Sequence, residues 1–330
     1  MAIGNSAKAA AQSYVAVARE LAFGTYPTTT SFSPVEPISC SFKVNKKSQK
    51  LDTLSMNRGV HRRVQLDKEV AGTLEQFMHP EESVVLMATS LGGGVATTSL
   101  TGAYSHIISA GNFDGTIASA SFVVRKGDTH EFAYQGGRVN SMKITAQVGE
   151  PVKVSYDYVF KTFTSTAGFT ESALTISSVV PFTYAQGTFA YSGVTEYVTG
   201  FELTVNNNLK SDKDARSLGS DELTALPPTR RDIEFKITQR FDTTTTLDRF
   251  MAGEGAAVQL VFTGASITSE HNYKCTIDLA KVYPNTPDPE LKGSGDILLS
   301  EIAFDAVVDN PYTTTGYDIK VTMINNVASY

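Results

Sequence analysis

One pattern occurs twice in this chain: a stretch that alternates like a β-strand runs straight into a stretch spaced like one short helix. The first copy is GTLEQFMHPEESVVLMATSLGG, from Gly72 to Gly93, and the second is IEFKITQRFDTTTTLDRFMAGEG, from Ile233 to Gly255. A change of period from two to about 3.6 marks the switch in each. Other landmarks keep the same order. Val44-Asn45 in SFKVNKK aligns with Val205-Asn206 in ELTVNNN, an offset of 205 − 44 = 161. Val70, Leu74 and Gln76 align with Ile233, Ile237 and Gln239 at 163, and Met87-Ala88 with Met251-Ala252 at 251 − 87 = 164. An internal repeat of this kind restricts the fold to two similar units in tandem.

The chain around both copies reads as β. Thr, Ser, Val and Gly are abundant and Trp is absent, while 14 Tyr and 18 Phe supply strand-forming aromatics. Strands are expected at SASFVVRKG, THEFAYQGGRVNSMKITAQV, EPVKVSYDYVFKTF, NYKCTIDLAKVY and GDILLSEIAFDAVV, with turns at Gly127-Asp128, Gly136-Gly137 and Gly149-Glu150-Pro151. Residues 164–180 read as a link leading into a hairpin at PFTYAQGTFAYSG. The first helix has Pro80 at its start, Glu81 and Glu82 in its first turn, an apolar side of Val84, Val85, Met87, Ala88 and Leu91, and Gly92–Gly94 at its end. In the second, Asp242 or a following Thr caps, Leu247, Phe250 and Met251 form the apolar stripe, and Gly253 stops the helix. Both are too short to stand alone, so each must lie on a sheet. The expected fold is mainly β: two tandem β-sandwich or β-barrel domains, 1–165 and 166–330, each with one short flanking α-helix.

Composition excludes several functions. With 28 basic and 34 acidic residues the net charge is −6, the wrong sign for a nucleic-acid clamp held by counterion release. Cys40 and Cys275 are too few and too distant for a disulfide scaffold or a zinc cluster, and read as free buried thiols in a reducing compartment. The start, MAIGNSAKAAAQSYVAVAREL, places Lys8 and Gln12 where a signal peptide needs an unbroken apolar run, and no window approaches the length of a membrane span. None of the five His (His61, His79, His106, His130, His271) has metal-ligand spacing, and they read as exposed loop residues. There is no nucleophile elbow and no phosphate loop. SLGGGVATTSLTG follows a helix rather than opening one, and DPELKGSGD lacks the alternating oxygen ligands and closing Glu of a calcium loop. No enzyme and no cofactor is expected.

Polar length does stand out. Segments 45–63 and 206–231 each join adjacent strands with about twenty residues or more where a hairpin needs two to five. Such segments are either solvated loops or arms that order on a neighbouring subunit, and the Thr/Gly/Ser-rich stretch 91–121 invites the same question. Duplicated arms suit a self-assembling protein. The candidate contact residues are Asn45, Lys46, Lys47, Arg58, Arg62 and Arg63 in the first arm, and Asn206, Asn207, Asn208, Lys210, Arg230 and Arg231 in the second.

Most of the chain then resembles the major tail tube proteins of long, non-contractile-tailed bacteriophages. The likeness rests on SYVAVARELAFGTYP, VAGTLEQFMHPEESVVLMATSLG and FAYQGGRVNSMKITAQVGEPVKVSYDYVF, and later on VTGFELTVNNNL and RRDIEFKITQRFDTTTTLDRFMAGEGAAVQLVF. These are patterns of residue type in a particular order. The resemblance implies a virion protein, assembled in the host cytoplasm, whose β domains form rings of six that stack into a tube through loops and arms. With two domains per chain, three chains would make a pseudo-sixfold ring. The implied partners are further copies of the chain, a tape-measure protein, tail-tip and terminator proteins, and double-stranded DNA that passes through the lumen without specific binding. The helix would cover the outer flank of a sheet whose other side faces the channel. Alternatives are another β-rich virion component, such as a tail-tip or baseplate hub or an adhesin, and a two-domain carbohydrate-active enzyme, which the absence of Trp disfavours.

Overall fold

The computed structural model describes residues 13–27, 32–53, 59–92, 94–110, 117–127, 130–165, 174–241, 244–285, 297–310 and 316–330. The chain is mainly β. Strands β1 (Tyr14–Arg19), β2 (Ser33–Val35), β3 (Pro37–Cys40), β4 (Lys43–Lys50) and β5 (Arg63–Phe77) precede α1 (Ser83–Leu91). After the helix come β6 (Val95–Leu100), β7 (Ala103–Ser109), β8 (Ala120–Lys126), β9 (His130–Gln147), β10 (Lys153–Phe160) and β11 (Thr162–Thr164). The second half holds β12 (Gly187–Tyr191), β13 (Val194–Glu196), β14 (Val198–Asn206), β15 (Asp232–Arg240), α2 (Thr245–Ala252), β16 (Ala256–Ser266), β17 (Asn272–Asn285), β18 (Leu299–Val307) and β19 (Ile319–Asn325).

The antiparallel pairings of the first half recur in the second. β1 pairs with β2 and β8 as β12 pairs with β13 and β16. β5–β10 and β10–β9 correspond to β15–β18 and β18–β17, and β9–β11 corresponds to β17–β19. Register agrees to the residue at the start of the repeat: Val44 lies opposite Val70 and Asn45 opposite Glu69, as Val205 lies opposite Ile233 and Asn206 opposite Asp232. Among the described residues the hairpin β6–β7 has no second-half counterpart; it takes up 95–109 of the stretch 91–121 expected as a long loop, and its β7 pairs with β19.

Packing explains where the sequence expectations shift. Gly136-Gly137 is no turn: β9 runs straight through it, pairing with β8 and β11 before it and with β10 and β14 after it. Gly136 has φ +66°, and a Cβ there would stand 2.5 Å from Lys161 Cβ, so glycine lets one strand bend from one sheet into the other. The expected 181–193 hairpin turns instead at Ser192-Gly193, whose φ of 54° and 78° suit a two-residue primed turn.

Helix α1 is buried on all sides, not along one stripe. Its polar residues are satisfied locally: Thr89 and Ser90 hydroxyls donate to Leu86 O, and Ser83 Oγ accepts from Gln76 Nε2 and from the His79 backbone N–H. α2 is the reverse. Of its expected stripe, Phe250 and Met251 are 41% and 77% exposed. Two histidines expected on exposed loops are interior: His79 bonds Val179 O, and His106 bonds Thr97 Oγ1 and Asn325 Oδ1. Cys40 is half-buried and Cys275 buried, both free.

Residues of both sheets and both halves share one large core cluster. In the first half Phe42 is ringed by Phe122, Tyr134, Tyr158 and Phe160, with centroids 4.8–5.9 Å away. Edge-on aromatic pairs of this kind each add ~1 kcal/mol beyond area burial.

Candidate functional site

The joint between the halves is a continuation of sheet. β9 pairs with β14, so strands run β4-β5-β10-β9-β14-β15-β18-β17 without a break. Alternation then sorts side chains by row. Gln76, Val154, Ile144, Leu203, Phe235 and Phe304 lie opposite one another across six strands, and Leu74, Tyr156, Met142, Val205 and Ile233 across five; both rows are buried.

The rows between them point the other way and are polar. One is Glu75, Ser155, Lys143, Thr204, Glu234 and Asp305; the next is Phe77, Lys153, Thr145, Glu202, Lys236 and Ala303. Thr73, Asp157, Ser141, Asn206 and Asp232 flank one side, and Gln147, Gly200, Thr238 and Glu301 the other. Apart from the buried Gly200, these residues are exposed or half-exposed. Their carboxylates are Glu75, Asp157, Glu202, Asp232, Glu234, Glu301 and Asp305, and their cations are Lys143, Lys153 and Lys236, so the rows carry 3 − 7 = −4. All three lysines are tied to acids: Lys143 to Glu202 at 2.8 Å, Lys153 to Glu150 at 2.9 Å and Lys236 to Glu234 at 3.9 Å. Exposed pairs of this kind add little stability. Within these rows they leave each of the three lysines beside an acidic partner. A broad, polar, net-acidic sheet surface can border water and a polyanion without holding the polyanion.

The two arms are built differently. In the first, β4 and β5 keep pairing out to Lys50 opposite Arg63, so much of segment 45–63 is a two-stranded ribbon rather than a polar connector. Asn45 sits opposite Glu69; Lys46 donates to Gln65 and lies 3.8 Å from Asp221; Lys47 pairs with Glu69; Arg62 is exposed and its carbonyl accepts from Leu51 N–H; Arg63 donates to Ser48. Arg58 lies outside the described residues.

In the second arm the segment after Asn206 straps back over the first half of its own chain. Arg138 donates to Leu226 O, Arg216 to Lys68 O, and Lys68 pairs with Glu222, while Ala215, Leu223 and Leu226 pack beside Phe23 and Val159. Asn206 faces Asp232 and Ser141 within the sheet. Asn207 corrects the expectation of an outward contact: it is 2% exposed, and its Nδ2 donates to Ser90 O at 2.8 Å and Val139 O at 2.9 Å. Asn208 bonds Arg230 O and Asp232 at the surface, and the exposed Lys210 gives its N–H to Pro227 O. Arg230 pairs with Asp232 at 3.2 Å, and Arg231 makes a bidentate bond to Asp318. Sequence reasoning missed Asp221 and Glu222 in this strap; their sign, opposite to Lys46 and Lys68, was the available signal.

Among the described residues no group of three His, Cys, Asp or Glu is placed to hold a metal ion. DPELKGSGD lies outside the described residues. Among the described residues no helix is long and apolar enough to cross a membrane. The family model described as phage tail tube protein matches residues 10–306 of the chain, and no curated protein matches it.

Proposed function

The chain belongs to the phage tail tube protein family, and from that premise we propose that it is the two-domain subunit of a long, non-contractile tail, three copies closing each ring. The observation that carries this reading is the register-continuous sheet with one polar, acidic face. Each half contributes four strands to it (β4-β5-β10-β9 and β14-β15-β18-β17), which supports a division at 1–165 and 166–330. Three copies supply 24 strands, a barrel roughly 37 Å across its backbone with upright strands and about 48 Å at a tilt of ~40°.

The polar rows line that lumen. DNA and a tape-measure protein pass along a wall whose central rows carry seven acids against three acid-paired lysines, so few counterions are released and the duplex stays mobile. The repeat supplies the ring-closing contact. Ser141 lies opposite Asn206 at the joint inside the chain, and tracing the pairings through β10 and β18 makes Asn285 the counterpart of Ser141 and Asn45 that of Asn206. Asn285 of one copy thus meets Asn45 of the next, and the edges left open in one chain are closed. Beyond Lys46 the ribbon carries Lys47, Lys50, Arg62 and Arg63 towards the neighbouring ring, and tail-tip and terminator proteins limit the stack.

Negative-stain electron microscopy of the purified protein over a range of concentrations tests the tube, and end-on averages count the units per ring. The double variant Asn45→Cys/Asn285→Cys tests the closure. Directly opposed strand residues lie within disulfide range, so oxidation yields covalent trimers. Linear ladders of every size, or no crosslink in assembled tubes, refutes closure by three.

A further inference from the structure

The two helices end on similar glycines and meet opposite fates. Gly92 and Gly253 are both left-handed caps, with φ 79° and 67°. In α1 the carbonyl two residues before the glycine, Ser90 O, accepts from Asn207, a residue of the other half placed just past the β9–β14 joint. The capping glycines align at 253 − 92 = 161 rather than at the 164 of the Met-Ala pair, so the counterpart of Ser90 in α2 is Met251, which is 77% exposed beside Phe250. Val194 and Tyr197 of the neighbouring β12–β13 region are 63% and 81% exposed, and Tyr197 and Arg249 line the same cleft of about 330 Å³. α1 is covered because β7 and β1 lie against it; α2 leads directly to β16 with no such hairpin between.

The register that equates Asn45 with Asn206 also equates Lys46 with Asn207. We infer that Lys46 of a second copy reaches the C-terminal end of α2, and that this contact seals the exposed Phe250 and Met251 against the incoming β4. The inference rests on the ring reading above. Lys46 lies on the core-side row of β4, opposite Lys68. Its bonds inside one copy, to Gln65 and Asp221, are half-exposed and easily exchanged. A lysine suits the new position better than the asparagine of the internal joint: its ammonium donates to the last free carbonyls and sits at the negative end of the helix dipole. The occupant of this apolar patch is therefore another copy of the chain.

The test compares Lys46→Glu, Lys46→Asn and Met251→Asp in tube formation by sedimentation and microscopy, each checked for an unchanged melting curve. A short bismaleimide between Lys46→Cys and Met251→Cys reports the contact directly. Lys46→Asn, which copies the internal joint, assembles within about threefold of the parent, while Lys46→Glu and Met251→Asp lose tenfold or more, and the bismaleimide gives intermolecular product only in rings. Normal assembly of Lys46→Glu without that product, while the 45/285 disulfide still forms, overturns the inference and leaves the ring intact. Loss of the 45/285 disulfide as well, in the parent background, removes the ring and the inference with it.

Discussion

Replacing Asn207 by Ala removes a side chain that holds the two halves together from inside. Its amide fills two acceptors, Ser90 O and Val139 O, in residues that are themselves buried. Water has no route to either carbonyl, so each loses a partner outright, at about 1–3 kcal/mol apiece. A combined cost of ~3 kcal/mol is expected. With an unfolding entropy of roughly 2.1 cal/mol/K per residue, the 330-residue chain loses about 0.7 kcal/mol per kelvin, so the midpoint falls by ~4 °C if it melts as one unit. Asn208→Gly is the control: Asn208 is exposed, and its φ of 47° is one that glycine adopts freely. It should shift stability by no more than about 0.5 kcal/mol. Differential scanning calorimetry and urea titration of the unassembled protein read both. Equal midpoints for Asn207→Ala and the parent would refute the claim that this amide locks the joint, and with it the template used for Lys46.

Gly72→Ala should cost about 1–3 kcal/mol, because its Cβ would stand 2.7 Å from the backbone of Ser41 and Phe42, under the aromatic cluster; urea midpoints check it. Burial pushes the His106 imidazole below its ordinary value of 6.5. The unfolded chain therefore takes the proton first, and the stability present above 6.5 drains away as pH falls through the folded value. His106→Gln should flatten the pH dependence of melting in that window. Cys275, whose thiol burial pushes up to about 12, should stay unalkylated at pH ~8 until denaturant is added, as mass spectrometry would show. Tubes carrying Glu234→Lys and Asp305→Lys should retain duplex DNA with a steep salt dependence that parent tubes lack, measured by co-sedimentation.

The strand–helix order and the mainly β fold were legible because each rests on local period. The core rows of β9 and β15 follow from alternation alone. That the polar faces of the two halves form one continuous surface was not legible until the β9–β14 pairing joined both halves in one register. α1 was misread as one-sided since Ser83, Thr89 and Ser90 look solvent-seeking; Thr89 and Ser90 can be buried because they donate back to Leu86 O, and Ser83 because its Oγ accepts from Gln76 and His79. The second arm was misread for a different reason: a polar segment that folds onto its own chain through Arg138, Arg216 and Lys68 has the composition of one that reaches a neighbour.

The β7–β19 pairing also sets a clock. β7 ends at Ser109 and its partner begins at Ile319, so the wall over α1 is finished only after a further 319 − 109 = 210 residues have been synthesised. At a translation rate of ~5–20 residues per second that interval is roughly 10–40 s. Throughout it the nascent chain lacks the last strand of its outer layer, and Asn325 has not yet reached His106 and Pro80 O. The first half of the chain therefore cannot complete its own packing before the second half has been made.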